Sequence, residues 1–303
     1  MWAVIDIGSN TIRLVIYASQ EGPPRPILNK KYAVGLASYV DGDNLIKREG
    51  IEVLEEVLSD IRTILSYIKP EAVFPFGTAT LRNSANGGEI AAMIKEKYGF
   101  DVRILSGEEE AKYDYYGALQ DGIGDSGLLV DVGGGSTELT FFENREIIKA
   151  TSIPLGSLNS YKKWVDGLVP APKEAKRIKK AAERYLNEIS VPSRGFSAQP
   201  LYSVGGTSRA AFRLIGEKDG SENGGYTRAQ LKDFLSAIEN DQGRLLRGLL
   251  RVSPERVHTI IPGLLIFYAV AKHYGSESFI TIRCGVREGY LAHCLSEREQ
   301  SHG

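Results

Sequence analysis

The sequence predicts two mixed α/β domains related by duplication, and three observations predict them. Asp6-Ile7-Gly8-Ser9-Asn10 and Asp131-Val132-Gly133-Gly134-Gly135-Ser136-Thr137 each end one short apolar run and open a hairpin into the next. After each turn the same order follows: strand, hairpin, strand, then helices and strands in alternation. The 303 residues suffice for two domains, each with its own core.

The elements follow in order. Met1–Ile7 and Thr11–Ala18 are apolar and rich in β-branched residues, with Gly8-Ser9-Asn10 between them. Gly22-Pro23-Pro24 punctuates a second turn before a third strand, Pro26–Leu36. From Leu45 to Ile68 apolar residues fall at helical spacing (Ile51, Leu54, Val57, Leu58, Ile61, Leu65), and Pro70 ends the run. Strand Ala72–Phe76, helix Ala85–Tyr98, strand Val102–Leu105 and helix Glu108–Leu119 complete the first half. Gly122-Ile123-Gly124-Asp125 then reads as the junction, giving domains 1–124 and 125–303. In the second half, strands are expected at Gly127–Val132, Glu138–Phe142, Arg145–Ile153, Leu201–Val204 and Phe279–Ile282. Helices are expected at Lys173–Ile189, Arg228–Ile238, Pro254–His273 and Arg287–Leu295.

Composition narrows the function classes. The net charge of −1 means that any grip on an anion must come from local Arg and Lys. Cys284 and Cys294 have neither the spacing of a zinc site nor the density of a disulfide framework, which suits a reducing cytoplasm. Asp6 interrupts the first apolar stretch, so it does not read as a signal peptide, and no apolar run reaches the roughly 20 residues of a membrane span. Neither membrane nor nucleic acid is expected as a partner. His258, His273, His293 and His302 lack metal-ligand spacing and read as surface or packing residues.

The two turns carry the chemistry. A glycine turn can direct consecutive backbone N–H groups at one anion, and neighbouring hydroxyls add donors. An Asp at the end of the preceding strand repels a phosphate unless a divalent cation, or a water to be activated, lies between them. Gly8, Ser9 and Asn10 on one side, and Gly133, Gly134, Gly135, Ser136 and Thr137 on the other, are the expected phosphate cradles, with Asp6 and Asp131 beside them. Two turns of one design imply a single site in a cleft between the domains.

In order along the chain stand Asp6-Ile7-Gly8-Ser9-Asn10 with Arg13, Gly77-Thr78-Ala79-Thr80-Leu81-Arg82, Ser106-Gly107-Glu108-Glu109-Glu110-Ala111 and Asp131 to Leu139. Gly205-Gly206-Thr207, Ile261-Pro262-Gly263 and Arg287-Glu288-Gly289 follow. This ordered set resembles the exopolyphosphatase / guanosine pentaphosphate phosphohydrolase (Ppx/GppA) family over essentially the whole chain. The resemblance implies two duplicated actin-like (ribonuclease H-like) domains of the sugar kinase/Hsp70/actin superfamily. It also implies metal-dependent release of terminal orthophosphate from inorganic polyphosphate or guanosine pentaphosphate, with Mg²⁺ as cofactor and Mn²⁺ as its alternative, and a homodimer.

The resemblance makes Glu110 the general base that takes the proton of the attacking water. Glu108 and Glu109 keep a plainer role, complementing the helix start after a Ser106 cap. Asp131 and Glu138, with Asp6, hold the metal or orient the water. Arg82 is the side-chain phosphate ligand, because a guanidinium takes two phosphate oxygens at once, and the Thr78 and Thr80 hydroxyls add contacts. The helix with Lys173, Lys176, Arg177, Lys179, Lys180 and Arg184 reads as a solvated face, because Glu174, Glu183 and Glu188 are interspersed. Arg244, Arg247, Arg251 and Arg256 are the better candidates to guide the rest of a polyanion. Two rivals remain open on the residues: an ATP-dependent small-molecule kinase of the same fold, and a non-catalytic polyphosphate or nucleotide sensor.

Overall fold

The computed structural model describes residues 1–18, 24–190, 199–217 and 224–302. Gly22 and Pro23 of the expected second turn lie outside them. The chain forms two compact units: Met1–Glu110 with Arg287–Gly303, and Ala111–Val286. Gly122–Asp125 lies inside the second unit.

The first unit is built on β1 (Trp2–Ile7), β2 (Ile12–Tyr17), β3 (Pro26–Tyr32), β4 (Ala72–Gly77) and β5 (Arg103–Ile104). They align in the order β3-β2-β1-β4-β5. The β1–β2–β3 meander is antiparallel, while β4 and β5 join in parallel. β3 stops at Tyr32, short of the expected Leu36, because Leu36 already starts a 3₁₀ turn to Tyr39. Helices α1 (Arg48–Ile68), α2 (Ala79–Asn83) and α3 (Gly87–Tyr98) follow. Alternation along the strands decides the two faces. Ala3, Ile5 and Ile7 join Ile12, Leu14 and Ile16 in a core with Leu54, Leu58 and Ile61 of α1 and Ile90 and Ile94 of α3. These Ile and Leu side chains are almost wholly shielded from water, each worth about 1.5–3 kcal/mol relative to exposure.

α4 (Gly107–Gln120) leads into the second unit, whose strands are β6 (Gly127–Val132), β7 (Thr137–Glu143), β8 (Glu146–Ile153), β9 (Leu201–Val204), β10 (Gly225–Thr227) and β11 (Ser278–Thr281). Their order is β10-β11-β9-β6-β7-β8. β6–β7–β8 is again an antiparallel meander, and β9 and β11 again join in parallel. The topology of the first sheet is thus repeated, with β10 added at the edge. Helices α5 (Ser157–Trp164), α6 (Pro172–Asn187), α7 (Gly205–Ala211), α8 (Arg228–Asn240), α9 (Gln242–Val252) and α10 (Val257–Tyr274) complete the unit. Leu128, Val130 and Val132 meet Ile178, Ala182 and Leu186 of α6 and Ile261, Leu264 and Leu265 of α10. On the opposite face, Leu129, Phe142 and Tyr202 meet Tyr115 and Ala118 of α4.

The last helix, α11 (Val286–His302), belongs to the first unit from Arg287 onward. There it covers the second face of the β1–β5 sheet. The Tyr17 hydroxyl donates to Glu288 Oε1 at 2.6 Å, and the Phe76 and Tyr290 rings meet edge to face with centroids 5.0 Å apart. No helix among the described residues is long and apolar enough to cross a membrane.

Candidate functional site

In the first unit, Asp6 sits one residue before the end of β1, opposite Arg13 of β2 and Phe76 of β4. Arg287 Nη1 lies 3.3 Å from its Oδ2, and both side chains are mostly buried, at 14% and 15% exposed. Burial pushes the Asp6 carboxyl above its ordinary range; Arg287 and Arg13 oppose this, and Glu288 adds to it. Gly8 follows, its amide bonded to the Thr11 carbonyl at 3.1 Å. A Cβ on Gly8 would stand 3.0 Å from that carbonyl and 4.0 Å from the Thr78 hydroxyl, so Thr78, the N-cap residue of α2, lines the turn. The carbonyl of Ser9 accepts from Ala37 and that of Asn10 from Gly35, both at 2.9 Å. In a trans peptide the following N–H points the opposite way. The Asn10 and Thr11 amides are therefore aimed away from the segment that holds their carbonyls.

The turn of the second unit is held the same way and more completely. The N-terminus of α5 takes its carbonyls: Ser157 N donates to Gly133 O at 2.8 Å, and Leu158 and Asn159 amides donate to Gly134 O at 2.9 and 3.0 Å. Asn159 Nδ2 donates to Gly135 O at 2.7 Å. Three fixed carbonyls leave the amides of Gly134, Gly135 and Ser136 directed to the other side, and none of them donates to a described residue. A run of convergent N–H groups in such a turn is an anion-binding concavity. The Thr137 hydroxyl is already used, donating to Leu155 O, so it holds the turn's exit; it does not face the concavity.

Asp131 and Glu138 are direct cross-strand partners on β6 and β7. Directly opposed side chains on one face stand about 4.5–5.5 Å apart at Cβ. Glu138 is nearly fully buried and accepts from Ser152 Oγ at 2.8 Å. Gly205 opens α7 at φ 87°, and a Cβ there would collide with the Asp131 carboxylate. Only glycine gives both that backbone conformation and that room. Two adjacent carboxylates at the foot of an anion turn fit a hard divalent cation, which takes oxygen ligands. Among the described residues no group of three or more His, Cys, Asp and Glu is arranged to hold a metal by itself.

Arg82 and Glu110 meet in the first unit. Arg82 Nη1 donates to Glu110 Oε2 and to the Leu105 carbonyl, both at 2.9 Å, and the two side chains are 19% and 13% exposed. The guanidinium expected to stand open for phosphate thus already grips the carboxylate expected to act as base. Glu109 does not enter this pair. It forms a reciprocal cap with Ser106, amide to carboxylate at 2.8 Å and amide to hydroxyl at 3.1 Å, and bridges to Arg103 at 2.7 Å. Burial works against its charge, but the Ser106 and Arg103 hydrogen bonds outweigh it and hold the carboxyl below its ordinary value.

The structure therefore groups Asp6, Gly8–Asn10, Thr78 and Arg287 in the first unit, with Arg82 and Glu110 as a bonded pair there. It groups Asp131, Gly133–Thr137 and Glu138 in the second. Sequence reading missed Gly156, Ser157 and Asn159. A Cβ on Gly156 would fall 2.5 Å from Gly134 C, so the glycine lets α5 press against the turn. It also left Arg256 with α9, although its guanidinium stacks on Gly206 and donates to Thr207 Oγ1 at 3.1 Å.

Residues 15–298 match the model of the Ppx/GppA phosphatase family. A guanosine-5'-triphosphate,3'-diphosphate pyrophosphatase of Aeromonas hydrophila is 27% identical over 299 residues, covering 96% of this chain and 58% of that protein. The chain thus spans less than two thirds of that relative's length. The crystal structure of the Aquifex aeolicus member of the Ppx/GppA family superposes with a TM-score of 0.78 at 24% identity, covering 98% of both chains. An exopolyphosphatase from Cytophaga hutchinsonii gives a TM-score of 0.81 at 20% identity over 98% of each chain. At these identities the likeness carries the fold: two actin-like α/β domains.

Proposed function

Because the chain belongs to the Ppx/GppA phosphatase family, we propose that it hydrolyses the terminal phosphoanhydride bond of inorganic polyphosphate or guanosine pentaphosphate. The observation that carries this reading is the glycine turn 133–136, whose three carbonyls are consumed by α5 and whose amides are left for an anion.

In the reaction, the Gly134, Gly135 and Ser136 amides of the second unit are donors to phosphate oxygens, and the Asn10 and Thr11 amides and the Thr78 hydroxyl are the corresponding donors of the first unit. Asp131 and Glu138 in the second unit would hold a divalent cation, Mg²⁺ or Mn²⁺, and Asp6 in the first unit is a further oxygen donor of the same kind; the cation would supply charge neutralisation of the phosphoryl group. Arg82 holds the Glu110 carboxylate in one orientation, and the rest of its fork offers N–H groups to a phosphate oxygen. Glu110 accepts a proton from water as the water oxygen bonds to the terminal phosphorus. The bond from that phosphorus to the bridging oxygen breaks, and the shortened chain leaves with the electron pair. Cys284 and Cys294 form no disulfide, which accords with action in a reducing cytoplasm.

Glu110→Gln keeps the shape and the Arg82 contact but cannot accept the proton. We expect kcat to fall about 10²–10⁴-fold with an unchanged thermal melt. Orthophosphate release from polyphosphate and guanosine pentaphosphate, measured without any acceptor alcohol, checks this and also separates hydrolysis from kinase chemistry. Near-normal turnover of the variant would remove Glu110 from the reaction.

A further inference from the structure

The exposed side of α6 carries a second feature that the reaction does not use. Three contiguous depressions open along it, of about 530, 500 and 390 Å³. The middle one shares Lys180 and Glu183 with the first, and Lys176, Lys179 and Tyr268 with the third. Lys272 of α10 lines the middle depression, Lys163 of α5 the first and Lys232 of α8 the third. Cations thus come from four helices of one unit, in a chain whose net charge is −1.

The acids that make α6 look like a solvated mixed face are withdrawn. Glu174 turns back to the helix start, where its carboxylate accepts from the Ala171 amide at 2.8 Å and the Asp166 amide at 3.2 Å. Glu188 is the C-terminal cap residue. Of the α6 acids Glu183 alone remains in the groove, 3.8 Å from Lys272 Nζ, and Glu239 of α8 lines the third depression, where Lys176, Lys179 and Lys232 outnumber it. Among the described residues none of Lys176, Lys179 and Lys180 pairs with a carboxylate. Three unpaired ammonium groups at i, i+3 and i+4 repel one another and are relieved by a shared anion.

We propose that this groove is a docking surface for a linear polyanion, inorganic polyphosphate, at a distance in sequence from the glycine turns. The choice of polyphosphate rests on the hydrolase reading above. Nucleic acid fits less well: single strands bind through open aromatic faces, whereas here Lys163 lies over the Trp164 ring and Arg184 over that of Tyr185. A run of phosphates needs only the row of charges.

The test is the triple variant Lys176→Gln/Lys179→Gln/Lys180→Gln. Lys176 and Lys180 are exposed and Lys179 is half-buried, and none of the three is among the buried residues of α6. For long polyphosphate KM should rise about 10-fold and the slope of log Kd against log salt should fall by about 2, while tripolyphosphate KM and kcat stay unchanged. Equal changes for both lengths, or none, would overturn the groove. Binding of long polyphosphate by calorimetry, with and without the triple substitution in a Glu110→Gln background, reads the groove even if the wild type hydrolyses nothing. A chain that hydrolyses nothing but still loses binding on substitution would sink the activity and keep the groove. A single-stranded oligonucleotide binding as tightly as polyphosphate, with the same loss in the variant, would overturn the choice of ligand.

Discussion

Asn159 uses both ends of its amide on the second glycine turn: Nδ2 donates to Gly135 O and Oδ1 accepts from the Gly156 amide, each at 2.7 Å. One side chain thereby fixes the turn and the residue packed against it. Asn159→Ala leaves two partly buried backbone groups without this partner, at about 1–3 kcal/mol each at most. More specifically, the Ser136 amide loses its orientation, because the Gly135 carbonyl that opposes it becomes free to rotate. We expect kcat/KM for orthophosphate release to fall about 10-fold or more, with weaker inhibition by inorganic phosphate. Asn159→Asp keeps the acceptor for Gly156 but not the donor for Gly135; stability should recover in part while phosphate inhibition stays weak. Recovery of both would mean that Asn159 acts on stability alone. Gly156→Ala tests the same contact from the other side. Its Cβ meets backbone atoms, which cannot swing aside, so the cost is about 1–3 kcal/mol and the turn must shift.

Among the helices, α10 is the most deeply buried, and its two histidines make it sensitive to pH. His258 packs its ring edge-on against Tyr161 with centroids 5.0 Å apart. Burial first, and the Arg256 charge second, push its pKa below 6.5. Burial also lowers that of His273, against an opposing pull from Glu183. Both side chains resist protonation in the folded chain and accept it freely when unfolded. The unfolded state therefore binds more protons below about pH 6.5, and stability falls as pH drops through that window. Urea midpoints at pH 7.5 and pH 5.5 should show the loss, and His258→Gln/His273→Gln should flatten it; an unchanged pH slope in the double variant would assign the loss to carboxylates. Sequence reading found α10 and α1 because their apolar spacing extends over several turns. It found the meanders because β-branched runs end in Asp and glycine. It specified neither α5 nor α7, and it missed α2 and β10, whose few residues give no periodicity. Asn159 was illegible for another reason: its partner, Gly135, lies 24 residues away and offers only a carbonyl.

The fold crosses from one unit to the other twice, so the first unit is closed by a helix from the far end of the chain. α11 brings Arg287 to Asp6, Glu288 to the Tyr17 hydroxyl and Tyr290 to Phe76, all on the sheet face opposite the aliphatic core. In the second unit α4 takes the equivalent place, and its Ala111 carbonyl accepts from Thr140 Oγ1 at 2.8 Å. The Asp before each hairpin turn thus lies on the face that a helix arriving from a sequence-distant segment, or leading in from the other unit, must cover. Stability of the first unit and the chemistry at Asp6 should then be linked through α11. Glu288→Ala removes the acceptor of a buried phenol and should cost about 1–3 kcal/mol, seen as a lower urea midpoint. Arg287→Ala removes the partner of a mostly buried carboxylate, which costs about 3–5 kcal/mol where no other group compensates. Arg13 also faces Asp6, so the observed loss should be smaller than that, and Arg13→Ala/Arg287→Ala should exceed the sum of the single losses. Strict additivity in that cycle would mean that the two guanidinium groups do not share Asp6.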